Sequence, residues 1–428
     1  MFTEARRRIP ITNEVDVLVV GGGLAGSSAA IAAGRMGLKT LIIEYFGYLG
    51  GNATNSLVSS LCGFFTYTGS NMPVVKGIGG EIVQTLIDRK GGKKRKHLIE
   101  FDPEIVKIVL DEKVIEAKVE PLYYTQMVAP IIKKNIIKGV IIENKAGRQA
   151  IMAKRVLDCT GDGDVCALAN VPFELGDGKG SFQACDMVFR LLNVKKRNKS
   201  SPKELVSLLE EGVKSSEYKL TRSGGFLGST LKPGVYWANM ARIPWIVNGI
   251  DPGQLTMGTI EGRKIVREFA RFLIEKVPGM EHADIVQTAS KLGLRETRRV
   301  MGEYLLTGED ILNGTKFEDA IGVNAWPIEI HVPGEMVSHT MSLKGDDFHT
   351  IPYRCLLPKR VEDLLMAGRF VSCTHEAQAS IRVMGPASVM GQAIATAAVL
   401  SIKEGISPRK LNVKLLQKEL KNAGVFLG

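Results

Sequence analysis

The sequence predicts an α/β fold in which a parallel sheet with flanking helices is extended by a β-meander and interrupted by a separate α+β segment. Three observations carry that reading. A β-branched run breaks on three glycines and leads straight into a helix pattern and a second strand over residues 16–44. A meander of strands then ends in a further glycine-acid turn, Thr160-Gly161-Asp162-Gly163-Asp164. Finally, an apolar strand and a helix rich in small residues appear over 361–402, after a long interval of different composition.

The opening unit is the most informative. Asp16-Val-Leu-Val-Val20 supplies an apolar strand, Gly21-Gly22-Gly23-Leu24-Ala25-Gly26 the turn, and Leu41-Ile42-Ile43-Glu44 a second strand ending in an acid. A dinucleotide-binding βαβ unit requires this order. Gly21 permits a sharp turn, Gly23 lets the backbone approach a pyrophosphate, and Gly26 lets helix and strand pack closely. The helix N-terminus offers unpaired N–H groups and a positive dipole to the phosphates. Glu44 can accept both hydroxyls of an adenosine ribose, and its charge repels a 2′-phosphate, so the unit reads as binding FAD or NAD(H) rather than NADP(H).

The remaining elements follow from local signals. Tyr48-Leu-Gly50-Gly51-Asn52-Ala-Thr54 is a loop whose glycines allow close backbone approach. Residues 77–89 read as a helix, and another opens at Phe101-Asp102-Pro103-Glu104, with Asp102 as N-cap and proline in the first position. Leu122–Val128 is extended, and Gly139–Glu143 and Ala150–Ala153 flank a turn at Asn144–Arg148. Arg155–Asp158 then runs into the glycine-acid turn. From 171 to 349 longer polar-rich segments carry arginine and aromatic islands. A buried strand, Val361–Arg369, and a helix, Pro386–Ile402, return the chain to its first domain. The expected division is 1–170, 171–349 and 350–428, with no internal repeat.

Bulk properties narrow the function. At 428 residues two domains are expected, and 45% hydrophobic with 24% charged residues is ordinary globular composition. No apolar run of membrane-spanning length and no signal-peptide pattern is read, so the expectation is a cytoplasmic protein without a membrane span. The six cysteines (Cys62, Cys159, Cys166, Cys185, Cys355, Cys373) never form C-x-x-C, which argues against a dithiol centre, an iron–sulfur cluster or a zinc site. Cys62 alone follows the first loop closely enough to line a site. The net charge of +11 sits in short clusters, Arg6–Arg8, Lys93–Lys96 and Lys195–Arg197, expected in loops without interleaved aromatics. That distribution speaks against nucleic acid and is compatible with anionic substrates.

Taken in order, Gly21–Gly26, Glu44, Gly47-x-x-Gly50-Gly51-Asn-Ala-Thr54, Phe101–Glu104, Asn144–Arg148, Thr160–Asp164, Arg295-Glu-Thr-Arg298-Arg299, Ile351–Arg354 and Ala367-Gly-Arg369 with Thr374–Met384 resemble the FAD-dependent oxidoreductases of the glutathione-reductase-like superfamily. The resemblance covers nearly the whole chain. It implies a Rossmann-like FAD-binding domain, parallel sheet plus β-meander, with an inserted α+β substrate domain. It also implies that Gly21, Gly23 and Gly26 hold the FAD pyrophosphate and Glu44 the adenosine ribose. Gly50, Gly51 and Thr54 line the route to the flavin, Val128 meets adenine through its backbone, and Gly161 and Asp162 close over the adenosine side. Gly368 and Arg369 match the second ribityl-proximal motif. The acid usual after alanine-glycine is Arg369 here; it cannot accept from ribitol and suits phosphate instead. Arg382 and Val383 precede the last helix, whose N-terminus the resemblance aims at the flavin pyrimidine ring.

A bound flavin supplies hydride or electron transfer, and the protein supplies orientation and electrostatics. No second G-x-G-x-x-G occurs, so electrons pass between FAD, a substrate and an unknown external acceptor or donor. Arg295, Arg298 and Arg299 stand at helical spacing and, with Arg354, are candidates for binding an anion. His331 and His375 are the candidate acid–base groups, while His339 and His349 are expected in surface loops. No metal site is read. The expected function is a flavin-dependent oxidoreductase, or dehydrogenase, acting on a small anionic or polyhydroxylated substrate. A flavin subunit of a larger electron-transfer complex and a nucleic-acid-binding flavoprotein are the alternatives; covalent attachment of the flavin and homo-oligomerisation are left open.

Overall fold

The computed structural model describes residues 7–195, 202–343 and 347–428; Arg6, Lys196 and Arg197 of the basic clusters lie outside these. The chain opens with β1 (Ile11–Val20), α1 (Leu24–Arg35) and β2 (Thr40–Ile43). The two strands pair in parallel, Val17 opposite Thr40 and Val20 opposite Ile43. Both strands are buried through these residues, as the centre of a parallel sheet is, hence the unbroken apolar runs. A small antiparallel sheet follows, from β3 (Ser60–Leu61), β4 (Gly92–Arg95) and β5 (Leu98–Phe101), with α2 (Gly77–Asp88) preceding β4. Next comes α3 (Pro103–Glu116), whose N-cap Asp102 accepts the Glu104 N–H at 3.1 Å.

The meander is β6 (Glu120–Leu122), β7 (Gln126–Lys133), β8 (Ile136–Asn144) and β9 (Gly147–Asp158). The β8–β9 turn closes because Asn144 Oδ1 accepts the Ala146 N–H at 2.9 Å and Gly147 takes φ +93°. Where the sequence suggests two runs, 150–153 and 155–158, β9 is one strand of 12 residues. It pairs in parallel with β1, giving the order β6-β2-β1-β9-β8-β7.

The short α4 (Asp164–Leu168) and β10 (Phe173–Leu175) lead to a second, antiparallel sheet. Its strands are β11 (Asp186–Leu192), β12 (Phe226–Ser229), β13 (Tyr236–Arg242) and β14 (Asp284–Thr288), in the order β12-β13-β11-β14. Two helices belong to this segment, α5 (Pro202–Lys214) and α6 (Pro252–Lys276). The chain then passes through β15 (Arg298–Val300), which pairs with β10, and α7 (Gly308–Leu312). β16 (Ala320–Asn324) pairs with β19 (His349–Pro352), and β17 (Ile328–Ile330) with β18 (His339–Met341). After β20 (Leu364–Met366) come α8 (His375–Ile381), α9 (Met384–Lys403) and α10 (Val413–Asn422). β20 lies parallel to the second half of β9, Met366 opposite Asp158, where β8 has left it. The C-terminal return thus completes the first sheet.

Two large apolar cores result. The first joins β1, α1, β9, β20 and α9; the second holds Met187, Phe189, Trp237, Phe269, Phe272 and Leu273. The interval 171–349 contributes to both: 185–294 builds the second, whereas Val300, Leu306, Ile311, Ile321 and Ile328 pack in the first.

Four sequence expectations are corrected. Arg298 and Arg299 lie on strand β15, not a helix, so they point to opposite sides instead of sharing a face. Lys93–Arg95 form strand β4, not a loop, and Lys94 stands 4.1 Å from the centre of the Phe65 ring. His349 is fully buried in β19, bonded through Nε2 to Asn324, and is not a surface histidine. Lastly, α9 is long and apolar enough to cross a bilayer by length and composition, but 89% of that stretch is buried inside the protein. Its composition answers to core packing.

Candidate active site

The glycine turn between β1 and α1 forms a cradle that side chains would fill. Gly21 has φ +100°, and a Cβ there would sit 2.5 Å from Cys159 O; a Cβ on Gly26 would sit 1.8 Å from Gly21 O. Gly23 differs: a Cβ would meet nothing nearer than Gly51 Cα at 4.0 Å. It therefore faces open space. As N-cap of α1, Gly23 offers no side-chain cap, and the first turn has no acid. The helix start keeps its N–H donors and its dipole for an anion. Gly50 (φ +113°) and Gly51 (φ +56°) lie against this turn, fixed by Gly50 N–H to Gly22 O at 2.8 Å. Thr54 is buried and donates its hydroxyl to Leu49 O at 2.9 Å, which holds the loop closed.

Glu44, at the end of β2, accepts N–H groups from Gly22 at 2.6 Å and Phe46 at 2.9 Å. Burial pushes its carboxyl above the ordinary value, and these donors pull the other way. Each oxygen keeps lone pairs for ribose hydroxyls. Val128 falls at a register shift between Met127 and Ala129 in the β7–β8 ladder, leaving its backbone outside the pairing. That is where a strand edge can take an adenine. Gly161 (φ +82°) lies beside Arg369, and Asp162 accepts from Arg369 Nη2 at 2.6 Å and Thr297 at 2.7 Å. Against burial, Arg369 and Lys291 hold the Asp162 carboxyl below its ordinary range. Arg369 Nε is buried without a described partner. Gly368, just before it, has φ +131°.

At the other end, Val383 is the N-cap of α9, again with no side-chain cap and no first-turn acid. Gly385 N–H donates to Cys62 O at 2.9 Å, pressing the helix start onto the 62–63 backbone. Arg382 donates to Glu329 O at 3.2 Å. Burial, then the charge of Arg295, pushes Arg382 down to about 10. Burial holds the Cys62 thiol up at about 12, so it is protonated and no nucleophile at neutral pH.

The catalytic candidates separate. Arg298 donates to Asp162 O at 2.9 Å and Asp164 Oδ1 at 2.7 Å, stapling the glycine-acid turn. Arg299 is spent on Glu174, Gly176 O and Cys373 O. Arg354, half exposed, pairs with Asp319 at 3.0 Å and stacks on Tyr304, so none of its recorded partners is a residue of the cradle or of the arginine cluster described below. Arg295 does face the interior: it pairs with Asp186 on β11 and donates to Ala184 O at 2.5 Å.

His331 is buried, with Nδ1 2.7 Å from Arg242 Nη2 and 2.8 Å from Ser338 Oγ. Arginine only donates, so Nδ1 accepts and Nε2 carries the proton, 3.5 Å from Glu329 Oε1. Burial, then Arg295, lowers its pKa to about 3, which keeps the ring neutral. Glu329 is held at about 2: burial opposes, but His331, Arg382 and Arg295 prevail. His375 opens α8 with Nδ1 2.9 Å from the buried Glu296. Burial pulls that histidine down, and the Glu296 hydrogen bond carries it above its ordinary value. Gln183 bridges the two histidine sites: its backbone N–H reaches Glu296 at 3.1 Å, and the next residue donates to His331 O at 2.7 Å.

Asp186, Arg222 and Arg242 carry no local motif, and sequence reasoning passed over these three and Glu296, which lies inside the Arg295–Arg299 run, as site residues. A signal existed in part: Asp186 and Arg242 stand at the ends of largely apolar, buried strands. Among the described residues no group of three or more His, Cys, Asp or Glu could hold a metal ion.

Comparison with known proteins bears on this arrangement. A family model described as FAD dependent oxidoreductase matches residues 16–420. Dihydrolipoyl dehydrogenase of Trypanosoma brucei brucei is 54% identical over 50 residues, 12% of this chain and 10% of that protein, so the chain matches only a tenth of the length of that relative. Among solved structures, a geranylgeranyl bacteriochlorophyll reductase-like protein from Thermoplasma acidophilum is similar at 14% identity, covering 97% of this chain and 84% of that one with TM-score 0.48. L-proline dehydrogenase from P. horikoshii is similar at 12% identity over 98% and 100%, with TM-score 0.45.

Proposed function

The chain belongs to the FAD-dependent oxidoreductase family, and from that premise we propose that it moves a hydride or electron pair between bound flavin and a small anionic or polyhydroxylated substrate. FAD, when bound, supplies the redox chemistry. The residues fit it: the Gly21–Gly26 cradle, the uncapped start of α1 and Glu44 match a dinucleotide. In this reading, Gly23 and α1 receive the pyrophosphate, Glu44 the ribose and the Val128 backbone the adenine. The start of α9 and Arg382 meet the flavin ring end. The second core, 185–294, forms the substrate-facing side.

The observation that carries the reading is the unfilled face of Gly23 opposite an uncapped helix N-terminus. On the substrate side, Glu296 holds His375 ready to give or take a proton, while Arg242 occupies the acceptor nitrogen of His331 and makes it a positioning residue. An external acceptor completes the cycle. The test is direct: protein reconstituted with FAD turns yellow, and an anaerobic panel of hydroxy acids, amino acids, sugars and amines bleaches it for the true substrate class. Protein that takes up no FAD overturns the proposal.

A further inference from the structure

The second core and β17 enclose a buried set of charges that the protein does not balance by itself. Arg222, Arg242, Arg295 and Arg382 lie near the carboxylates of Asp186 and Glu329, with His331 neutral among them. Glu296 acts on Arg382 from the far side, where it is shared with Arg299 and His375. Three of the arginines have direct partners: Arg242 on His331, Arg295 on Asp186, Arg382 on the Glu329 carbonyl. Arg222 has none. It is 8% exposed, its Nε is buried without a hydrogen bond, and no ion pair joins it to any described residue. Its charged surroundings are Asp186, Arg295 and Glu329, acting through space.

A guanidinium cannot escape burial by losing its proton, so an unpaired one is held at a standing cost. Arg369 and Arg155 are neutralised at contact distance, by Asp162 at 2.6 Å and Asp363 at 3.2 Å; the buried Arg190 has no ion pair but still reaches Ser59 Oγ at 3.5 Å, whereas Arg222 has neither. Nor is Arg222 loosely placed. The 219–225 loop that carries it is tied to β13 by the Thr221 hydroxyl, which donates to Arg242 O at 2.7 Å. The same cluster reaches Cys62 through the charges of Glu329 and Arg382, and Cys62 O receives the first turn of α9. The unpaired cation therefore belongs to a charge cluster that reaches, through Arg382, the start of α9.

We propose that the substrate bears a carboxylate and that Arg222 receives it, with Arg295 and Arg382 supplying the surrounding positive field. The planar fork of the guanidinium matches a carboxylate with two parallel hydrogen bonds. Asp186 and Glu329 then set the limit on charge, since they disfavour a dianion such as phosphate. Arg222 is thus a binding residue left unsatisfied in the free protein so that the ligand completes it. This inference rests on the flavin reading above.

The test uses the full chain loaded with FAD. Acetate, propionate and benzoate are titrated against acetamide, propionamide, benzamide and inorganic phosphate, reading the flavin visible spectrum and the melting temperature. The acids are expected to saturate, with the amides at least tenfold weaker and phosphate weaker than the acids. Arg222→Met should lose at least tenfold in acid affinity while melting no lower than the parent without ligand, because it removes an unpaired buried charge. Amides that match the acids, phosphate that outcompetes them, or Arg222→Met with parental affinity overturns the proposal. If Arg222→Met does not fold, Arg222→Lys keeps the charge and loses the fork, and parental acid affinity in it is equally fatal. The acid-against-amide comparison needs no variant. Failure to take up FAD shows in the spectrum before any acid is added and sinks the underlying reading, whereas a yellow protein indifferent to acids sinks this inference alone.

Discussion

Two alanine substitutions three residues apart separate cofactor binding from folding. In Gly23→Ala the new methyl meets no protein atom nearer than 4.0 Å, and the residue's φ of −63° suits alanine. Folding stability should therefore stay within about 0.5 kcal/mol of the parent, or rise slightly as the unfolded chain loses freedom. The methyl instead occupies the space that lets a pyrophosphate reach the backbone. Overpacking of one methyl costs about 1–3 kcal/mol, so FAD affinity should drop about 10- to 100-fold. In Gly26→Ala the methyl would lie 1.8 Å from Gly21 O, far inside the 3.0 Å below which real contacts do not occur. The turn must shift by more than an ångström, and both stability and FAD affinity should suffer. Urea melts of the apo proteins and flavin fluorescence titrations read the two quantities separately. Parental FAD affinity in Gly23→Ala, or an apo protein as badly destabilised as Gly26→Ala, refutes the assignment of the open face of Gly23 to the cofactor.

Arg369→Met should weaken FAD binding by about tenfold or more and cost about 3 kcal/mol of stability, since it strands the buried Asp162 carboxylate; Asp162→Asn in the same chain should recover part of that stability loss, and an additive double-mutant cycle would refute the coupling. His331 has a folded pKa of about 3, below its ordinary 6.5, so the unfolded chain takes up a proton first and stability falls as pH drops from about 6.5 towards 3. The slope approaches about 1.4 kcal/mol per pH unit for one proton, and His331→Asn should flatten it in urea melts at pH 5 and pH 7.5. His375 has the opposite sign: with its folded pKa raised, its pairing with Glu296 stabilises below about 6.5 and is lost as pH rises through the folded value, a dependence that Glu296→Gln should erase. Cys62, partly buried and with its thiol pushed up to about 12, should react slowly with iodoacetamide at pH 8 in the native protein; rapid labelling there, read by peptide mass, would contradict its protonated state.

Where a fold decision is local, this sequence states it. The turn at Gly21–Gly26, the Asp102 cap and the Asn144–Gly147 turn each need only a few adjacent residues, and each stands where those residues place it. The small-residue run after Gly385 likewise forecasts α9, because Gly391 must lie where a Cβ would come within 2.0 Å of Ala25 O. The arginine cluster is different in kind. Asp186, Arg222, Arg242 and Glu329 come from a strand start, a loop, a strand end and a second strand pair, so no spacing along the chain records their meeting. Spacing even misleads at Arg295, Arg298 and Arg299, which fit a helix by count, whereas Arg298 and Arg299 lie on a strand whose alternation sends them to separate partners. The likeness of α9 to a membrane helix has a plain origin: near-complete burial demands the composition that lipid would.

β20 and α9, drawn from the last quarter of the chain, finish a sheet and a cradle begun by the first fifty residues. A ribosome must therefore release almost the entire polypeptide before the nucleotide has a seat, and flavin capture becomes a late event in synthesis. Shortened chains ending before residue 403 should emerge colourless however well their opening residues fold, so the yellow of the protein is a visible sign that synthesis has passed α9.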